Sequence, residues 1–202
     1  MNSDLSILKY IFSDKKLLIV KILLLCYSSG MADLNSKAVF IRARSDEHKE
    51  EIFLEISAEK MAAYYGSLLS AFPEGNNFTP DVITKVWAGI VNANQDYMRY
   101  VSYLNPIIET NVTVECLAIF KKKYYELAYA FRDRLAQMLG INQDAAYKIQ
   151  LDVLFYASSN AVCCYKNPLV QEALKQINIT PPAMDFYKDM KEFLKMRLEW
   201  KE

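Results

Sequence analysis

Residues 112–139 read VTVECLAIFKKKYYELAYAFRDRLAQML, and this stretch decides the fold class. Leu117, Phe120, Tyr124, Leu127, Phe131, Leu135 and Met138 follow one another at steps of three and four. That spacing gathers side chains into one stripe along an α-helix. Lys121, Lys122, Arg132, Asp133 and Arg134 fall mostly on the rest of its surface. Gly140 ends the run, as a residue that accepts a left-handed backbone at no steric cost. The same signature recurs on both sides of this helix, so the chain is expected to be all-α.

Working upstream, Asp46, Glu47, Glu50 and Glu51 crowd the start of a helix, where its positive pole favours carboxylates. Phe53, Met61, Tyr64, Leu68 and Phe72 then recur close to the helical period, up to Pro73 and the turn Glu74-Gly75-Asn76-Asn77. Thr79-Pro80-Asp81 restarts a helix, with threonine as cap and proline in the first position. Val82, Ile83, Val86, Trp87 and Ile90 form its apolar face. A further helix is expected over residues 95–104, and Pro106 breaks or kinks the chain after it.

Downstream, Asn142 to Asp144 opens a helix that should run to about Lys166. Only Lys148 and Asp152 are charged between Ala145 and Tyr165, so that helix is expected to be buried on more than one side. A short helix follows over about 169–177. Thr180-Pro181-Pro182 is expected to restart a last one, reaching about Trp200. Phe186, Met190, Phe193 and Trp200 line one side of it, with Tyr187, Leu194 and Leu198 adjacent. The total comes to about eight or nine helices by this periodicity. No internal repeat or low-complexity tract appears.

Residues 1–45 have a different texture. The most apolar run, Leu17 to Tyr27, is interrupted by Lys21 and falls short of the roughly 20 residues a membrane helix needs. Asp4 and Asp14 upstream argue against a secretory leader. A buried helix is the plain expectation, with Ser28-Ser29-Gly30 as its stop. Residues 38–43 are too short to assign to helix or strand.

The 202 residues carry 24 basic and 24 acidic side chains, so no global charge draws the protein to nucleic acid or to acidic membranes. Over residues 1–48, seven lysines and arginines face five acids, a small excess compatible with phosphate contacts. Lys37, Arg42 and Arg44 are its cluster. The single histidine, His48, and the absence of any CxxC among Cys26, Cys116, Cys163 and Cys164 speak against a zinc site. They also leave little for a histidine-activated nucleophile. Free thiols point to a reducing cytoplasm. Neither GxGxxG nor a P-loop nor GxSxG occurs. No cofactor and no enzymatic activity are expected. A helical enzyme using Glu109 is the remote third reading.

Aromatic residues carry more. Tyrosine combines an apolar ring with a polar tip, which suits a mostly apolar pocket with a few orienting hydrogen bonds as well as it suits a core. Trp87, Tyr97, Tyr100, Tyr103, Tyr124 and Phe155 are the pocket candidates, with Glu109 and Asn111 as polar anchors.

Two stretches carry a family resemblance. Lys49-Glu50-Glu51-Ile52-Phe53-Leu54-Glu55-Ile56 resembles the start of the long helix that links head and body in the TetR family of one-component bacterial transcription regulators. Ile107-Ile108-Glu109-Thr110-Asn111-Val112-Thr113-Val114-Glu115, followed by Phe120-Lys121-Lys122, resembles a core pattern of one branch's ligand-binding domain. The resemblance covers about three quarters of the chain.

It implies a TetR-like multi-helix body at 49–202 and a small helical DNA-binding head at 1–48. It further implies a homodimer joined by a C-terminal four-helix bundle. Here the bundle would be the helices of residues 143–166 and 182–200. Leu151, Phe155, Val162, Phe186, Met190, Phe193 and Leu194 would form the interface. The implied function is a ligand-responsive repressor, with operator DNA and a small, mostly apolar effector as partners and no membrane. The head departs from the family pattern, because Ser36 to His48 lacks the aromatic motif that normally precedes Lys-Glu-Glu. Residues 1–48 are therefore either a divergent head, or a lost one, or the product of an altered start or reading frame. The alternative function is a dimeric small-molecule-binding or interaction protein that has lost DNA binding.

Overall fold

A computed structural model describes residues 49–164 and 167–199 of the chain. The expected head, including Lys37, Arg42 and Arg44, lies outside the described residues, as do the Leu17–Tyr27 run, His48 and Trp200.

Helix α1 spans Lys49–Ala71, with Glu50 and Glu51 in its first turn. Met61, Tyr64, Tyr65 and Leu68 form its buried stripe, and Phe72, one residue past its end, is buried with them. Pro73 and Gly75, whose φ is 77°, turn the chain. Helix α2 is Pro80–Ala93, and its Thr79 cap accepts a hydrogen bond from Val82 N. Asn94 separates it from α3, Gln95–Tyr103. A π-helical turn, Leu104–Ile108, follows, in which Glu109 N donates to Leu104 O at 2.8 Å. Pro106 has no N–H to give to the ordinary helical ladder, which accounts for the break expected there.

Helix α4 is Val114–Leu139, capped by Thr113 and closed by Gly140 at φ 64°. Helix α5, Gln143–Cys163, starts where Asn142 Oδ1 accepts from Ala145 N at 2.8 Å. Its Ala146, Ile149, Gln150, Val153, Leu154 and Ala157 are buried, in keeping with its scarcity of charge. Helix α6, Pro168–Gln176, buries none of its residues.

The last helix, α7, is Phe186–Glu199, later than the expected start near 180–182. Pro181 and Pro182 remain outside the helix, and Asp185 acts as the cap, its Oδ1 accepting from Lys188 N at 3.1 Å. Among the described residues there are seven α-helices and no strand.

Three pairings build the body: α3 against α5, α7 against α2, and α1 against α4. Phe131 and Leu135 of α4 and Leu68 of α1 are fully buried where they meet. Each such side chain contributes about 1.5–3 kcal/mol from leaving water. Arg134 ties the far end together, donating to the Phe72 carbonyl and pairing with Glu74 at 2.8 Å.

The stripe that α7 buries is Phe186, Met190, Leu194 and Leu198, at steps of four. The expectation that Phe186, Met190 and Leu194 face a second copy is therefore corrected. They pack inside the subunit because α7 spends this stripe on α2.

Candidate functional site

The centre of the body is built from five helices. Tyr64 and Tyr65, adjacent on α1, are both buried there because their neighbouring helices close over two sides of the stripe. Trp87 of α2 donates from Nε1 to Tyr64 Oη at 3.1 Å. Tyr97 of α3 lies with its ring 5.4 Å from that of Tyr64. Phe131 of α4 meets Trp87 edge-to-face at 5.1 Å and Tyr65 at 6.4 Å. From α5, Gln150 Nε2 donates to Tyr65 Oη at 3.0 Å. Offset and edge-on ring contacts of this kind add about 0.5–1.5 kcal/mol each beyond area burial.

Burial pushes the Tyr64, Tyr65, Tyr97 and Tyr124 hydroxyls well above the ordinary phenol range. The bonds from Trp87 to Tyr64 and from Gln150 to Tyr65 pull the other way without offsetting it. All four hydroxyls are thus neutral at physiological pH and serve as donors and acceptors. Tyr124 carries the polar chain outward, interacting with the hydroxyls of Tyr65 and Tyr147. A ladder of rings continues from Tyr125 to Tyr129 and on to Tyr147, with Arg132 over Tyr129 at 4.3 Å. One atom in this centre stands out. Gln150 is 2% exposed, and its Oε1 has no hydrogen-bond partner among the described residues. A buried carbonyl left without a donor is costly and uncommon.

Of the expected pocket residues, the structure brings together Trp87, Tyr97 and Tyr124. Tyr100 is half-buried nearer the start of α1, its ring 4.4 Å from Phe53, and Tyr103 is half-buried at the end of α3. Glu109 and Asn111 lie apart, at the turn before α4. Glu109 pairs with Lys121 at 2.7 Å, and Asn111 donates to the Ile107 carbonyl. Phe155 projects from α5 at 52% exposure, away from the centre.

The residues of the centre that the sequence does not offer as pocket candidates are Tyr64, which reads only as part of an apolar stripe, Tyr65 and Gln150. Two consecutive tyrosines on an otherwise apolar stripe, and one long amide within a helix nearly free of charge, are the signals that could have found them.

A second arrangement links the centre to the start of α1. Glu51 is buried, and its Oε1 accepts from Thr113 Oγ1 at 2.8 Å and from Thr113 N at 3.4 Å. Thr113 is also the cap of α4, so the first turn of α1 is tied to the end of the helix that carries Tyr124.

The outer flank of α5 is apolar. Phe155, Tyr156 and Val162 are exposed there, and Tyr156 stacks flat on half-buried Phe193 of α7 at 4.0 Å. Leu151 is half-buried on the same helix. Among the described residues, no cluster of histidine, cysteine or carboxylate side chains could hold a metal, and no helix is long and apolar enough to cross a membrane.

Residues 58–199 match the tetracycline repressor-like C-terminal domain, more than two thirds of the chain. The chain belongs to the TetR family. A search among curated proteins finds no match. As a TetR-family protein it joins a group of transcription regulators, and residues 58–199, from within α1 to the end of α7, are its counterpart of the family's C-terminal domain. The tyrosine-lined centre lies within the matched residues, and Glu51 lies just before them.

Proposed function

We propose that this protein is a ligand-responsive, dimeric transcriptional regulator of the cytoplasm, a repressor that a small, mostly apolar effector releases from DNA. The observation that carries the reading is the unmatched Gln150 carbonyl inside a ring of neutral tyrosine hydroxyls, Trp87 and Phe131. Pockets for small molecules combine apolar walls with a few convergent polar groups. An effector with one hydrogen-bond donor would satisfy the carbonyl and spread α1, α4 and α5. Glu51 and Thr113 would carry that change to the start of α1, next to residues 1–48. Such a coupling works only as far as the effector binds one arrangement better than the other.

The second copy would meet the flank formed by Leu151, Phe155, Tyr156 and Val162 of α5 and Phe193 of α7. These residues keep apolar surface after the subunit has folded. Lys37, Arg42 and Arg44 would supply backbone contacts to DNA.

The test combines light scattering with a gel shift on the DNA upstream of the protein's own coding sequence. A dimer mass and a retarded band at moderate salt are expected, and Phe155→Arg should return the protein to single subunits. A single subunit at micromolar concentration, with no shift at any salt, would overturn the reading. The departure of Ser36 to His48 from the family's head pattern favours one alternative, a dimeric binding protein without DNA recognition. A dimer that never retards DNA would select it.

A further inference from the structure

At the end of the body far from the Glu51–Thr113 tie, a cleft of about 810 Å³ opens between the α4–α5 turn, the start of α2 and the end of α7. Its volume falls within the usual range for ligand clefts, about 300–1,000 Å³. Phe78, Ile83, Met138, Ile149 and Leu198 give it apolar walls. Gly140, left-handed at φ 64°, makes the reversal from α4 to α5 at its edge.

Three charged side chains line the same cleft, namely Lys148, Asp152 and Arg197. Arg197 Nε donates to Asp152 Oδ2 at 2.8 Å, so these two largely neutralise each other. Lys148 stands one turn before Asp152 on α5 and has no ion-pair partner among the described residues. The lining therefore carries one uncompensated positive charge beside a continuous apolar wall. The charge is exposed, at the mouth, where Met196 also reaches solvent.

We propose that this cleft is a binding site for a monoanionic amphiphile, a carboxylate on a hydrocarbon body, with the carboxylate at Lys148 and the hydrocarbon against Phe78, Met138 and Ile149. A neutral molecule would leave the lysine charge unused, and a cation would meet it as a like charge. A dianion would exceed the one charge available. The site is separate from the tyrosine-lined centre, and its existence does not depend on the regulatory reading.

Calorimetric titration of the full chain with sodium decanoate, and with decan-1-ol as the neutral control, tests this. Saturable binding of one decanoate per chain is expected. Lys148→Glu should weaken decanoate about tenfold while leaving decan-1-ol nearly unchanged, since a mouth charge acts on the headgroup alone. Ala145→Phe, which fills the cleft, should abolish both. If that variant does not fold by circular dichroism, Met196→Trp at the mouth replaces it. Gln150→Met, in the centre, should leave decanoate binding as it is.

Several results would overturn the assignment. One is the absence of saturable binding. Another is equal weakening of acid and alcohol by Lys148→Glu. A third is loss of decanoate binding in Gln150→Met, which would move the ligand to the centre. A change of oligomeric mass in the cleft-filling variant would instead give the cleft to a second copy.

Discussion

Replacing Gln150 by methionine keeps the length and flexibility of the side chain and removes its amide from the core. Two terms decide the outcome. The bond from Nε2 to Tyr65 Oη, at 3.0 Å, is lost, and the cost stays near that of one neutral bond, about 1 kcal/mol net, because the buried Tyr65 hydroxyl keeps Tyr124 as a partner. The Oε1 carbonyl, buried without a partner among the described residues, disappears as well, which relieves about 1–3 kcal/mol of desolvation. The relief outweighs the loss, so Gln150→Met should stabilise the protein by about 1 kcal/mol. For a chain of this size that is a rise of about 2–4 °C in Tm.

Thermal unfolding followed by far-ultraviolet circular dichroism measures it. Tyr65→Phe is the companion change, because it strips the partner and leaves the whole amide buried. It should lower stability by about 1–3 kcal/mol. The double variant should recover most of that, since the two residues share one bond and their effects do not add. A fall in Tm for Gln150→Met would refute the reasoning, because it would mean that Oε1 already has a donor. A stabilised variant that also loses its effector response would mark Gln150 as kept for binding at the expense of stability.

Three further outcomes are expected. Glu51→Ala removes a buried acceptor from the Thr113 hydroxyl and should lower unfolding free energy in urea by about 2 kcal/mol; an unchanged midpoint would deny the tie between α1 and α4. Gly140→Ala places a Cβ at φ 64° with open space around it, so backbone strain acts alone and should cost about 1 kcal/mol. An unchanged or raised Tm for that variant would count against it. Asp96 concerns pH. Burial pushes its carboxyl up, but Lys60 and Arg99 together outweigh this and hold it below the ordinary aspartate range. Its contribution is therefore present above the unfolded pKa and is lost as the pH falls through the folded one. Stability of the wild type and of Asp96→Asn should differ near neutral pH and converge in acid, and a gap that widens in acid would contradict the assignment.

Most helix boundaries could be read in the sequence because capping is a local matter. Thr79-Pro80, Gly140 and Asn142 each meet their partner within a few residues, and each stands where the structure starts or stops a helix; Thr113 lies inside the stretch that reads as helical from Val112, yet it is the cap of α4. The start of α7 was less legible. Thr180-Pro181-Pro182 has the form of a cap followed by prolines, yet Asp185 is the residue that bonds into the first turn.

The site was legible only in part. Trp87, Tyr97 and Tyr124 stood out as aromatic residues in the helical body, and they do converge. Glu109 stood out as a carboxylate between helices, yet Lys121, twelve residues on, takes it. Nothing local announces that Gln150 will reach Tyr65 across 85 residues, or Glu51 reach Thr113 across 62.

Residue order alone shows a helical chain, marks the ends of the helices between residues 49 and 199 to within a few residues, and resembles one family. Periodicity and capping depend on neighbours three or four positions away, and a sequence displays those directly. What each apolar stripe is for does not follow from its spacing. Phe186, Met190 and Leu194 had the same helical spacing whether they faced α2 or a second copy, and Phe155 whether it faced a pocket or the surface. Facing is fixed by how whole helices pack, and that packing is a sum over distant contacts which no local pattern encodes.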